Sequence, residues 1–102
     1  MKEGKWNKLI KYINSIEIGE IITRRQLLKL IYNDPCYRGS GYGTTVDQYR
    51  RILSMIGILD IEENGVYKVL HHIRPNALAS EVKEVAYSGD VYREWFHDFI
   101  KI

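Results

Sequence analysis

The feature that most restricts the fold is a change of hydrophobic period at Gly57. Before it, apolar residues recur at helical spacing. After it, Ile58-Leu59-Asp60-Ile61-Glu62 and Val66-Tyr67-Lys68-Val69-Leu70-His71 flank Glu63-Asn64-Gly65. Asn-Gly between two apolar-rich runs is a strong hairpin signal, because both residues tolerate positive φ. Several amphipathic helices that share one short hairpin define a mainly α architecture of the α+β class.

The helical part divides cleanly. Trp6, Leu9, Ile10, Ile13 and Ile16 recur on one face with Lys5, Lys8 and Lys11 on others, which predicts a helix over 5–16. Thr23-Arg24-Arg25-Gln26 offers a capping box, and a second helix over 24–32 turns Leu27, Leu28 and Ile31 inward. Asn33-Asp34-Pro35 ends it, and Arg38-Gly39-Ser40-Gly41-Tyr42-Gly43 reads as an exposed loop. Thr45-Val46-Asp47-Gln48 reads as a second capping box, opening a third helix that Gly57 closes. On that helix Val46, Tyr49, Ile52, Leu53 and Ile56 share one face, while Thr44, Asp47, Gln48, Arg51, Ser54 and Met55 share the opposite one, with Arg50 on its shoulder. Beyond the hairpin, Leu78, Val82 and Val85 place a further helix over about 77–87. Val91, Tyr92, Trp95, Phe96, Phe99 and Ile100 make a final aromatic one.

A length of 102 residues with 45% hydrophobic content is that of one domain with a real core. Residues 1–74 form its main body, and 75–102 a helical extension packed on it. No run is long enough to span a membrane, and Met1-Lys2-Glu3-Gly4-Lys5 does not lead into a signal-peptide core. The expectation is an intracellular protein of cytoplasm or nucleoid, or of a host cell if the source is viral or a mobile element. The lone Cys36 has no intrachain disulfide partner.

The charge is polarised along the chain. Residues 1–51 carry ten Lys/Arg against five Asp/Glu, a net +5, while 52–102 carry five against eight, a net −3. A small nucleic-acid binder shows this pattern when its front half faces phosphates.

Helix, helix, helix, hairpin is an order with a family resemblance. Thr44-Thr45-Val46-Asp47-Gln48-Tyr49-Arg50-Arg51-Ile52-Leu53-Ser54-Met55-Ile56-Gly57-Ile58-Leu59 resembles the third helix of winged-helix (winged helix-turn-helix) DNA-binding domains, and Gly19-Glu20-Ile21-Ile22-Thr23-Arg24-Arg25-Gln26-Leu27 is similar to their short strand and second-helix start. The long Gly-rich loop ahead of the third helix departs from compact versions. The resemblance implies a winged helix-turn-helix with two added C-terminal helices, its third helix in the major groove of double-stranded DNA. Thr44, Gln48 and Arg51 would meet base edges, since a guanidinium suits guanine and a carboxamide suits adenine. Arg24, Arg25, Arg38, Tyr42, Thr45, Arg50 and Lys68 would meet the backbone. Winged-helix proteins often dimerise through added helices, which assigns Tyr92, Trp95, Phe96 and Phe99 to a homodimer interface. The expected role is a transcription regulator or accessory DNA-binding factor.

Each reading has a plainer counterpart. Asp47 and Arg51, four apart, can be an ordinary surface ion pair. Arg24 and Arg25 lie where the helix dipole disfavours cations, which suggests function, although solvated arginines are common. The glycine-rich loop lacks both a preceding strand and a Walker lysine, so nucleotide binding is not expected. His71 and His72 would point to opposite sides of a strand, and neither metal nor cofactor is expected. The Trp95-Phe96-Phe99 stripe is most simply core. With no catalytic grouping of recognisable spacing, an enzyme is not expected, and the chief rival is a protein-interaction module.

Overall fold

The computed structural model describes residues 4–39, 44–87 and 99–101. Its elements are α1 (Lys5–Ser15), β1 (Ile21–Thr23), α2 (Arg24–Tyr32), α3 (Thr45–Met55), β2 (Leu59–Glu63), β3 (Val66–Val69), β4 (His72–Ile73), α4 (Ala79–Tyr87) and β5 (Ile100–Lys101). The fold is α+β: helices around a small antiparallel sheet of order β1-β3-β2, with β4 and β5 pairing separately.

Local signals decide where the helices begin and end. Thr23 Oγ1 accepts the Gln26 N–H and Gln26 Oε1 accepts the Thr23 N–H, so the first capping box forms as its sequence implies. The α2 helix stops at Asn33, which adopts the left-handed conformation at φ 57°. The second box starts one residue earlier than expected. Thr44, not Thr45, is the N-cap, its hydroxyl accepting the Asp47 N–H while Asp47 Oδ2 accepts the Thr44 N–H. Aspartate at the third helical position can close the box from Thr44, whereas Gln48 would have had to close it from Thr45. At the far end of α3, Gly57 at φ +83° lets its own N–H reach the Ser54 carbonyl and the Ile58 N–H reach the Leu53 carbonyl. This double closure turns the chain straight into β2.

The hairpin pairs Leu59 with Val69 and Ile61 with Tyr67, with a bulge before Glu63↔Val66. Only Gly65 uses positive φ (+79°), so the turn relies on the glycine alone and not on Asn64. On the other edge Ile22 pairs with Tyr67, which makes β3 the central strand. Tyr67 and Val69 therefore face inward, and Lys68 faces out. The Gly65 carbonyl accepts the Arg24 N–H, so the hairpin turn satisfies the first donor of α2.

One core joins these parts. Trp6, Leu9, Ile10 and Ile13 of α1 meet Leu27 and Leu28 of α2, Ile52 and Leu53 of α3, and Val82 and Ala86 of α4. Trp6 Nε1 donates to the Ala77 carbonyl at 2.8 Å, and Asn14 exchanges two hydrogen bonds with the backbone of Ile73, which fastens the segment after the hairpin onto α1.

The C-terminal part differs from expectation in three respects. The α4 helix starts at Ala79, and Leu78 is 55% exposed; Ala77 and Ala86 take the inward places beside Val82. Ile100 belongs to a strand, pairing with Ile73, so no helix runs through it. Phe99 is only 7% exposed and sits in the core, so this residue of the expected dimer interface is corrected to a packing residue. Tyr92, Trp95 and Phe96, with the rest of the final helix, lie outside the described residues.

Candidate nucleic-acid interface

The outward side of α3 is built by its two flanks. The core stripe Val46, Ile52, Leu53 and Ile56 points one way, so Gln48, Arg51 and Met55 are turned outward. Gln48 and Arg51 are three apart and lie as neighbours on one ridge. Arg51 has no ion-pair partner among the described residues, because Asp47, four residues before it, is engaged elsewhere.

Asp47 is bound to Arg24. Oδ1 accepts from Nε at 2.8 Å and Oδ2 from Nη2 at 3.0 Å, a two-pronged contact between the first turns of α2 and α3. Oδ2 also accepts the backbone N–H and the hydroxyl of Thr44. These donors, Arg24 foremost, hold the Asp47 carboxyl well below the usual carboxylate range, and Asp47 in turn raises the pKa of Arg24. The cation that the α2 dipole disfavours is thus compensated by a carboxylate from the next helix.

Several expected contacts are corrected by this arrangement. Thr44, 2% exposed, is a buried cap and cannot reach a base edge. Arg24 is neutralised in place. The N–H of Thr45 is donated to the Tyr32 hydroxyl at 3.0 Å, so it is not open to a phosphate. Arg50 is half-buried, its guanidinium carbon 5.9 Å from the Tyr67 ring centre and its Nε without a partner. Burial pushes the Tyr67 phenol up, with the Arg50 and Arg24 charges opposing. Lys68 is 3.3 Å from Glu62 and so is partly neutralised within the hairpin. Arg25 and Arg38 are exposed, with no ion pair among the described residues. Tyr42 lies outside the described residues.

Two features are set by contacts between elements. Tyr32 and Tyr37 stack at 3.9 Å, with Lys5 Nζ 5.2 Å from the Tyr32 ring, which braces the end of α2 against the start of α3. A cleft of about 340 Å³ opens between α3 and α4, lined by Gln48, Tyr49, Ile52, Ala79, Ser80, Lys83 and Tyr87. Ser80, Lys83 and Tyr87 are spaced to fall along one side of a helix, a signal that the sequence itself carries beside the apolar face of Val82. Met55 adds exposed apolar surface beside Arg51.

His71 is exposed and His72 Nε2 lies 2.6 Å from the Ile16 carbonyl oxygen. Among the described residues no cluster of three or more His, Cys, Asp or Glu could hold a metal, and no helix is long and apolar enough to cross a membrane. No protein-family model, curated protein or solved structure matches the chain.

Proposed function

We propose that this chain is a winged-helix module that binds duplex DNA through the outward ridge of α3. The observation that carries the reading is the pair Gln48 and Arg51, exposed side by side, with no ion pair to Arg51 among the described residues, on a helix locked at its N-terminus to α2. A guanidinium and a carboxamide so placed match guanine and adenine edges. The order α1-β1-α2-α3-β2-β3 with a β1-β3-β2 sheet supports the same reading, since it sets a hairpin wing beside the third helix. Exposed Arg25 and Arg38 supply backbone contacts. A transcription regulator or accessory DNA-binding factor is the role that such binding would serve.

A salt series with random-sequence duplex tests it. Each phosphate contact adds about 0.9 to the steepness of log K against log salt, so backbone contacts by Arg25 and Arg38 give a clear slope. A flat, absent response removes the DNA reading.

One observation favours a second reading. The hairpin exposes Asp60, Ile61, Glu62 and Glu63, an acidic edge around an apolar residue, which suits a basic protein partner better than DNA. A protein-interaction module would bind such a partner and leave duplex DNA alone.

A further inference from the structure

We propose that the cleft between α3 and α4 is a phosphate-backbone site, which extends the DNA contact from the α3 ridge onto α4 and depends on the DNA-binding reading above. The floor of the cleft is apolar, from Tyr49, Ile52 and Ala79, and its other lining residues are Gln48 of α3 and Ser80, Lys83 and Tyr87 of α4. Positions 80, 83 and 87 follow the spacing that keeps side chains on one side of a helix. Tyr87 is 51% exposed, and Ser80 and Lys83 are exposed as well. The two acids of α4, Glu81 and Glu84, do not line the cleft.

The chemistry selects the ligand. An ammonium, two hydroxyls and a carboxamide are all donors that meet phosphate oxygens, and Lys83 makes no ion pair among the described residues that would compete. Gln48 belongs both to the ridge and to the cleft, so one duplex can present a base edge to Arg51 and its flanking phosphates to Lys83 without a gap between the two contacts. The acidic edge of the hairpin repels phosphates, and α4 supplies the flanking grip that a more basic wing would otherwise give.

The test compares wild type, Lys83→Gln and Lys83→Arg on a random-sequence duplex and on a selected site, by salt series and by phosphate-ethylation interference. Lys83→Gln is expected to bind several-fold more weakly to both DNAs, with the salt slope lower by about one unit and with interference lost at phosphates on one flank only. Lys83→Arg restores the slope. The preference for the selected site over random sequence stays the same, because Lys83 reads no base. If Lys83→Gln keeps the wild-type slope and interference pattern while wild type binds DNA, the cleft is not a backbone site and the ridge reading stands alone. If wild type binds neither duplex, both proposals fall together. Protection by free inorganic phosphate with no loss of DNA affinity in Lys83→Gln also overturns the proposal, since the cleft would then take a small anion.

Discussion

Asp47 grips the Arg24 guanidinium with both carboxylate oxygens, at 2.8 and 3.0 Å, and so ties the first turn of α2 to the first turn of α3. The same carboxylate closes the cap of its own helix through Thr44. One side chain therefore sets both the start of α3 and its angle to α2, and the outward ridge inherits its orientation from that contact.

Removing the two partners should not be equivalent. The Arg24 side chain is 36% exposed, and screening limits Arg24→Ala to a loss of about 1–2 kcal/mol. Asp47→Ala also opens the cap and leaves the buried Thr44 hydroxyl short of a partner, which raises the loss to about 2–3 kcal/mol. Urea denaturation of both variants and of the double variant checks this, and a coupling energy near zero would show that the contact adds nothing.

The acid limb of stability should report the same carboxylate. Its folded pKa is depressed by Arg24 and Thr44, so its contribution is complete above the ordinary unfolded value of about 3.9 and is lost as pH falls toward the lower folded value. Wild type should lose stability steadily below that point, and Asp47→Asn should lose less there. Thermal melts from neutral pH down to about pH 2 measure the difference, and parallel curves would contradict the assignment.

Base reading and backbone holding should separate on the ridge. Arg51→Ala is expected to weaken a selected site by about 1–3 kcal/mol and random sequence much less. Arg25→Ala should weaken both alike and flatten the salt slope, whereas Arg24→Ala should do so far less, its charge being matched by Asp47. Equal losses on both DNAs would demote Arg51 to a backbone contact.

The wing should tolerate loss of its acids. Glu62→Gln frees Lys68 from a contact at 3.3 Å, and Glu63→Gln removes a second negative charge, so the double replacement should leave DNA affinity unchanged or slightly higher. A sharp fall in titrations of duplex DNA would overturn this account of the hairpin. Loss of a basic protein partner, with no DNA affinity to begin with, would install the interaction-module reading instead.

Phe99 should behave as core. Phe99→Glu places a charge where the side chain is 7% exposed, so the expected outcome is loss of cooperative folding rather than a soluble, folded variant. The milder Phe99→Ala should cost about 3–5 kcal/mol, followed by circular dichroism in denaturant. A folded, monomeric Phe99→Glu protein would restore this residue to an interface.

What the sequence determined by itself is the local part of the molecule. The span of α2 and its Thr23 cap, the inward face of α3, the glycine exit at Gly57 and the turn at Gly65 were all legible, because each depends on residues within one helical turn or one hairpin. Tertiary structure decided the partners. Asp47 had Arg51 within reach on its own helix, yet it binds Arg24 across 23 positions, because close packing of α2 on α3 fixes a two-pronged geometry that a flexible surface pair cannot match. The same holds for the Thr45 N–H, donated to the Tyr32 hydroxyl 13 positions away. It holds as well for Ile100, drawn from an expected helix into a strand by pairing with Ile73, and for Phe99, buried in the core with its carbonyl accepting the Arg74 N–H. Periodicity specifies which face of an element turns inward; which side chain meets another across that interior depends on contacts distant in sequence, and those exist only once the chain has closed on itself.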